Sequence, residues 1–251
     1  VSLKTRFEGY RDSVRRLLSI SKTNPEVSKH LHGALADIVT TDQRYETAIE
    51  TAFGGAMQNV VTPTADAARY LIEYLKRTNG GVVTFLPVAS MRPRPDSREI
   101  RRALDERGAM GLATELVHYD EYYYNVISNL LGNTLVCDNI ANATTIAKKY
   151  GNLFKIVTLD GDLIATSGSM TGGSIGKNQR LLSRARDIEK LEEEVKLAKT
   201  ELESNDNDRI VKATEKLSNE SQAIFGKIYQ QANPNGQDPN AGNAGDTEFH
   251  Q

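Results

Sequence analysis

The sequence predicts a mixed α/β (α+β) protein with two similarly built α/β subdomains, flanked by helices that carry coiled-coil patterning. One order of elements occurs twice along the chain: helix, glycine turn, strand, helix, glycine turn, strand. Apolar residues recur at heptad spacing near the start of the chain and again after residue 180. A stretch rich in glycine and hydroxyl residues, 166–174, precedes the second heptad pattern.

The first half alternates helix and strand patterns. A short apolar run at 34–39 predicts a buried strand, and Asp42 can cap the helix that follows. A strand is predicted at 60–61, a second helix begins at Pro63, and a last strand spans 82–86. Each helix ends at a Gly-Gly pair. Their inward-facing residues are predicted to be Tyr45, Ile49, Phe53, Ala68, Leu71, Ile72 and Leu75.

The second half repeats this order. Tyr123 lies 78 positions after Tyr45, and the residues that keep the same spacing are Ile127, Leu131 and Gly132. Strands are predicted at 134–137 and 154–159, with a helix between them that carries Ala143, Ile146 and Ala147. Asp160-Gly161 is a strong hairpin signal, and turn chemistry explains Asp160 and Asp162 more simply than a pair of catalytic acids does.

Two heptad seams bracket these halves. The first consists of Leu3, Phe7, Tyr10, Val14 and Leu17, and the second of Ile188, Leu191, Val195, Ala198 and Leu202. If the two helices pair with each other, they must run antiparallel, because the chain enters the globular part through one and leaves it through the other. The globular part would then form the tip of a rod.

The patterns divide the chain into seven segments. The stretch between the halves is rich in arginine and proline; it is predicted to be a connector with a short helix that either contacts DNA phosphates or is simply solvated. The segments are an N-terminal coiled-coil helix 1–22, subdomain I 23–90, the connector 91–118, subdomain II with the Gly-rich segment 119–176, a C-terminal coiled-coil helix 177–203, a helical extension 204–231 and a disordered tail 232–251.

Composition narrows the class of protein. The chain has ordinary globular values of 39% hydrophobic and 25% charged residues, and a net charge of −2. It has no apolar run of membrane-spanning length and no signal-peptide pattern, so we expect a cytoplasmic protein without a membrane partner. The single cysteine, Cys137, lies in an apolar run and is expected to be an inert buried thiol. His30 and His32 have no third ligand nearby, which argues against a metal site.

The stretch 166–174 contains three glycines, five hydroxyl residues and Met170. Such a backbone can adopt positive φ and come close to another chain, so we interpret it as a contact surface between copies of the protein. A phosphate-binding loop fits poorly, because Thr171 stands where the first glycine of a P-loop belongs and Asn178 where its hydroxyl belongs. A flexible linker fits the composition equally well.

These features together resemble the hinge domain of bacterial SMC proteins, the chromosome-condensing ATPases. The resemblance runs in unbroken order from Phe7 to Arg186. The residues that carry it are Asp-Gln-Arg-Tyr-Glu-Thr-Ala-Ile-Glu at 42–50, Gln-Asn-Val-Val-Thr at 58–62, Thr-Phe-Leu-Pro at 84–87, Val-Ile at 126–127, Leu-Leu-Gly at 130–132, Ile-Val-Thr-Leu-Asp-Gly-Asp at 156–162 and Gly-Ser-Met-Thr-Gly-Gly at 168–173.

The resemblance implies a homodimer. In that family the hinge joins two SMC subunits at the far end of long antiparallel coiled coils, and two hinges form a small ring with a central channel. The Gly-rich segment of one subunit packs against the first subdomain of the other. The interface residues carried over on this basis are Gly168, Ser169, Met170, Thr171, Gly172, Gly173, Gly54, Gly55 and Gln58. No cofactor is implied for this chain, because ATP and Mg²⁺ act at the heads of the full-length family.

The resemblance also implies weak binding of single- or double-stranded DNA near the junction with the coiled coil, and hence an association with the nucleoid. The candidate residues are Lys177, Arg180, Arg184 and Arg186, with Arg11, Arg15 and Arg16 on the opposing helix.

Two departures from the family leave alternatives open. The chain has no Walker A motif, so we do not expect it to hydrolyse ATP or to act as an enzyme. The segment 200–230 and the residues 245–249 resemble the last lid helix and tail of a DnaK-type chaperone. Two alternatives to a hinge domain remain. One is an α/β enzyme that binds a small molecule with its Gly-rich loop, and the other is a hinge fragment fused to a chaperone tail.

Overall fold

The computed structural model describes residues 9–173 and 181–202, together with Ser218. The chain divides into two compact units, Val1–Glu189 and Lys190–Gln251, and both predicted halves lie in the first unit. Apart from Ser218, the predicted extension 204–231 and tail 232–251 lie outside the described residues.

The first half contains a three-stranded sheet. Its elements are α1 Asp12–Ser21, α2 Pro25–Ser28, β1 Gly33–Ala34, β2 Thr40–Thr41, α3 Glu46–Phe53, β3 Val60–Thr62, α4 Ala65–Thr78 and β4 Phe85–Pro87. The sheet order is β1-β3-β4, with β4 parallel and β1 antiparallel to β3. Helix α4 joins the parallel pair; it begins where Thr64 Oγ1 accepts the Ala67 N–H at 3.2 Å, and it ends where Asn79 adopts a φ of 51°.

The second half contains a five-stranded sheet. Its elements are α5 Arg98–Ala103, β5 Ala109–Leu112, β6 Val117–His118, α6 Tyr124–Leu131, β7 Thr134–Cys137, α7 Ile140–Lys149, β8 Lys155–Thr158, β9 Leu163–Ile164 and β10 Met170–Thr171, and α8 Leu181–Leu202 follows. The order is β10-β9-β8-β7-β5, and α7 joins the parallel strands β7 and β8 as α4 joins β3 and β4. The predicted mixed α/β fold is confirmed, and both halves contain the same helix–strand–helix–strand unit.

The core joins the two halves. On one face of the second sheet, Leu135, Cys137 and Ile156 pack in a cluster with residues of α5 and α7. On the other face, Val136 and Val157 belong to the core cluster of the first half. Helix α3 of the first half packs against β8 of the second, so a helix that ends in the predicted interface lies on the sheet that carries the Gly-rich hairpin.

The predicted connector 91–118 contains structure that belongs to the second half. Helix α5 buries Ile100 and Ala103, and β5 pairs with β7. Strand β6 pairs with β2, placing His118 opposite Thr40 and joining the two halves. The arginines of α5 face solvent. Because they outnumber the apolar residues, the short apolar stripe that packs on the sheet was not recognised in the sequence.

Several local predictions differ from the structure. At 34–39 the strand stops after Ala34 and continues as a 3-10 turn, Leu35–Asp37. Asp42 does not cap α3 with its side chain; its carbonyl accepts the Tyr45 N–H at 2.8 Å, and Tyr45 occupies the cap position. Ile72 is 40% exposed, because it lies at the margin of the buried stripe of α4.

The described part of the first heptad seam belongs to the globular core. Leu3 and Phe7 lie outside the described residues, whereas Tyr10, Val14 and Leu17 are buried in the first core cluster. A helix that packs on a core uses the same three- and four-residue spacing as a short coiled coil, so sequence could not separate the two. Of the second seam, only the side chain of Val195 is described. None of the described helices is long and apolar enough to span a membrane.

Candidate functional site

The Gly-rich segment forms a hairpin with β9. Met170 pairs with Ile164 and Thr171 with Leu163. The turn is closed by two backbone hydrogen bonds, Ala165 N–H to Ser169 O and Gly168 N–H to Ala165 O, both at 2.9 Å. Gly168 adopts a φ of 82°, which only glycine reaches at low energy. The turn chemistry of the segment therefore builds an ordered hairpin up to Gly173, where a linker was the alternative prediction.

Strand β10 is the last strand of its sheet. Within residues 9–173 and 181–202, no strand pairs with its outer side. All eight residues from 166 to 173 are exposed, and Met170 is 54% exposed. The strand carries no charge, proline or bulge, the devices that usually prevent an edge strand from pairing with another chain. Its outer side can therefore accept a further strand.

The second predicted contact region is the 3-10 turn Gly54–Gln58, which follows α3 directly. Gly54 adopts a φ of 54°, so its backbone requires glycine. Gly55 has no such φ, and a Cβ on Gly55 would meet no heavy atom within 4 Å. Gly55 is therefore exposed backbone, and packing among the described residues does not require its small size.

A groove with a volume of about 420 Å³ lies beside this turn, large enough for a few side chains. Gln58 Oε1 on its wall accepts the Arg11 N–H at 2.8 Å, so the side chain that sequence assigned to the interface also fixes the start of α1. The residues that line the groove are Gly9, Glu50, Gly54, Gly55, Met57, Gln58 and Leu181.

Helix α3 also holds the beginning of α8. The carboxylate of Glu50 accepts the Leu182 N–H at 2.5 Å, and Arg186 forms an ion pair with Glu46, whose side chain is 9% exposed. In the structure, the guanidinium of Arg186, which the family resemblance predicts as a DNA contact, forms this ion pair with a carboxylate of the same chain. Sequence spacing could not indicate the pairing, because the two residues are 140 positions apart.

The other predicted DNA-binding residues do not form one described cluster. Arg11 and Arg16 are exposed on the N-terminal side of the chain, and Arg15 forms an ion pair with Asp12. Lys177 and Arg180 lie outside the described residues, as does the side chain of Arg184.

The glycines of the hairpin have roles within the fold. A Cβ on Gly172 would stand 2.5 Å from Asp162 Oδ1, and Gly173 adopts a φ of 126°. Asn152 lies beside the hairpin, with its Nδ2 3.6 Å from the position that a Cβ on Gly168 would occupy, and no sequence pattern indicated this proximity.

The described residues show structural roles for the candidate catalytic groups. Thr158 Oγ1 donates to Asp162 Oδ2 at 2.9 Å, so this carboxylate belongs to the β8–β9 turn. Burial raises the pKa of the Cys137 thiol to about 11, which leaves it protonated and unreactive at neutral pH. No group of three or more His, Cys, Asp or Glu residues within the described ranges could hold a metal ion. The ring of His32 instead packs against the rings of Tyr122 and Tyr123, with centroid-to-centroid distances of 5.4 and 5.6 Å.

Comparison with known proteins identifies the family. A model of the SMC proteins Flexible Hinge Domain matches residues 28–147. The chromosome partition protein Smc of Bacillus subtilis (strain 168) is 40% identical over 185 residues, which are 73% of this chain and 15% of that protein. The chain thus spans about a seventh of the length of this relative.

The Smc of Clostridium kluyveri (strain NBRC 12016) is 33% identical over 233 residues, covering 91% of this chain and 20% of that protein. A match of this extent must continue past residue 203 into the segment likened to a DnaK lid, so the chaperone resemblance gains no support. A crystal structure of an asymmetric dimer of the Geobacillus stearothermophilus SMC hinge domain matches with 33% identity and a TM-score of 0.67, covering 92% of this chain and 85% of that chain. This chain therefore belongs to the SMC hinge-domain family.

Proposed function

We propose that this chain is a dimerisation hinge, in which two copies associate through the outer side of β10 and the turn Gly54–Gln58. The observation that carries the proposal is the edge of β10, a short uncharged strand whose outer side is paired with no strand in the described part of the chain. A second strand added there would gain backbone hydrogen bonds without displacing a strand of the described part of the chain.

The turn supplies the complementary surface. At Gly54 and Gly55, no heavy atom of the described residues lies within 4 Å of the place that a Cβ would occupy, so the backbone is open there. Each copy carries one strand edge and one such turn, so a two-fold arrangement satisfies both in duplicate and closes on itself. The Geobacillus stearothermophilus hinge domain was solved as an asymmetric dimer, which supports the association of two copies.

The enzyme alternative has less support. The Gly-rich hairpin contributes no described residue to the groove beside Gly54, and its hydroxyl groups project into solvent. A small-molecule site would instead be concave, with a few converging polar groups.

The similar Smc proteins suggest a role for a longer protein that would contain this hinge. We propose that α8 leads into one of the two coiled-coil arms of a longer SMC protein, and that this protein acts in chromosome partition on the nucleoid in the cytoplasm. The ATPase heads of such a protein would lie in the part of the relatives that this chain does not span.

We also propose that the hinge contacts DNA weakly through the face of α1. Arg11 and Arg16 are exposed there and form no ion pair among the described residues. Phosphate contacts of this kind would be independent of base sequence and sensitive to salt.

Sedimentation velocity over a range of concentrations tests dimerisation directly. We expect a concentration-dependent shift from monomer to dimer, complete at micromolar levels. A folded chain that sediments as a monomer up to roughly 100 µM would contradict the proposal, because the free energy of association would then be weaker than about −5 kcal/mol.

A further inference from the structure

Lys155 joins the two halves by a hydrogen bond. The bond runs from the sheet that contains β10 to the helix that leads into the turn Gly54–Gln58. Lys155 lies on β8 and faces the same side of the sheet as Val157, the side that packs against α3. Its Nζ donates to the carbonyl oxygen of Ala52, in the last turn of α3, at 2.8 Å. Within the described ranges, Lys155 forms no ion pair with a carboxylate.

The positive charge of this lysine is poorly suited to stabilising the fold. Burial lowers the pKa of Lys155 below its usual value of 10.5, and the neighbouring Arg94 lowers it further. A lowered lysine pKa means that the charged form is less favourable in the folded chain than in the unfolded chain. An apolar side chain of similar length would fill the same space without that penalty. Ionisable groups held under such unfavourable conditions occur preferentially at functional sites.

The hydrogen bond of Lys155 fixes the position of the last turn of α3. The helix stops at Phe53, and its last carbonyls need partners outside the regular helical pattern. The turn Gly54–Gln58 begins at the next residue, so the position of Ala52 determines where Gly54 and Gly55 lie. A cation at the C-terminal end of a helix is also the favoured charge for the helix dipole.

The same strand sets the position of the other contact region. β8 pairs with β9, and β9 pairs with β10, so Lys155 stands two strands away from the exposed edge in one continuous sheet. A partner copy must engage the strand edge and the turn at the same time. A fixed distance between them lowers the entropy that association must overcome.

We propose that Lys155 is a positioning residue for dimerisation: its hydrogen bond to Ala52 O locks the Gly54–Gln58 turn to the sheet of β10, so that both surfaces meet a second copy of the chain together. This inference rests on the proposed function, because it presupposes that the two regions form the interface.

The test uses Lys155→Met, which keeps the length of the side chain and removes the donor. Its matched control is Lys148→Met, at an exposed lysine on α7 whose side chain makes no described hydrogen bond or ion pair. We expect Lys155→Met to raise the dissociation constant of the dimer about tenfold, because the turn must then be ordered when the copies associate, and Lys148→Met to leave it unchanged. Lys155→Arg should retain part of the affinity, because it keeps the cation and a donor.

Two further measurements separate positioning from a general role in stability. In a monomeric background, Lys155→Met should leave the urea midpoint of unfolding unchanged or higher. Amide hydrogen exchange at 54–59 should become faster in the same variant, while exchange in α7 stays the same. A lowered urea midpoint, or an unchanged dimer constant, would overturn the inference. A wild-type chain that is monomeric would instead refute the proposed function, so the two failures are distinguishable.

Discussion

The two glycine-rich regions of the proposed interface look alike in sequence but differ in what their glycines do. In the hairpin, Gly168 adopts a left-handed φ and Gly172 has Asp162 against it, so the chain needs both for its own fold. At the turn, Gly55 has no left-handed φ, and no heavy atom lies within 4 Å of the place that its Cβ would occupy. A glycine indicates an interface only where the fold of the single chain does not itself require glycine. Gly55 is such a position.

The largest effect should come from Gly55→Leu. The new side chain meets open space within one copy but would stand between two copies, so we expect the dimer dissociation constant to rise at least about a hundredfold. The free energy of unfolding of the monomer should change by less than about 0.5 kcal/mol. Sedimentation equilibrium and urea unfolding measure the two quantities.

The control for this substitution is Ala141→Leu, which adds the same side chain at an exposed position of α7. It should leave both quantities unchanged. If Gly55→Leu dimerises as tightly as the wild-type chain, the turn does not belong to the interface.

Gly172→Ala should act on the hairpin itself. Its Cβ would press on the carboxylate of Asp162, so we expect a loss of about 1–2 kcal/mol in the free energy of unfolding. In an Asp162→Ala background the same change should have less than half of that effect, a coupling that a double-mutant cycle detects. Equal losses in both backgrounds would mean that Gly172 is not required by packing, and the contrast with Gly55 would disappear.

Met170→Lys probes the strand edge with little effect on the fold. The side chain is 54% exposed, so stability of the monomer should change by less than about 0.5 kcal/mol. A charge on an edge strand opposes pairing with another chain, so the dimer should weaken about tenfold. An unweakened dimer, measured by sedimentation, would place the contact elsewhere on the hairpin.

Acidification should weaken the junction between the halves. Burial lowers the pKa of His32, which lies against Tyr122 and Tyr123 of the second half. The unfolded chain then takes up this proton at a higher pH than the folded chain, so stability is lost as pH falls below 6.5 toward the lower folded value. His32→Asn should reduce the pH dependence of urea unfolding in this range. His30→Asn serves as the control, since His30 stacks on Tyr70 within the first half.

The smallest effect should be on DNA. Arg16→Glu should weaken binding. It should also make the slope of the logarithm of affinity against the logarithm of salt concentration less negative by about one to two, as measured by fluorescence anisotropy. Lys148→Glu, a reversal of the same size on α7, should have less effect. Equal effects of the two reversals would show that DNA contact is not centred on α1.

Much of the fold could be predicted because its signals are local. The spacing of Ile127 and Leu131, the strand at 134–137 and the Asp160-Gly161 turn each depend on residues close together in sequence, and each element is present. The N-terminal seam was ambiguous in sequence, because Val14 and Leu17, which the structure buries in the core, have a spacing that fits either a partner helix or a core. In the proposed interface, residue types suggested the hairpin and the family resemblance suggested Gly54 and Gly55, but neither could show which glycines the fold itself requires.

The sequence by itself determined the repeated α/β order and most of the buried helix faces, because periodicity and turn residues act over a few positions. The family was indicated by the resemblance of its short motifs to those of SMC hinge domains. Only the tertiary structure decided that Arg186 pairs with Glu46, that Lys155 reaches Ala52 and that the outer side of β10 is left exposed in the described chain. The hydrogen bonds of the two pairs span 140 and 103 positions. No local pattern specifies contacts at such separations, because they follow from how the packed faces of helices and sheets bring distant segments together.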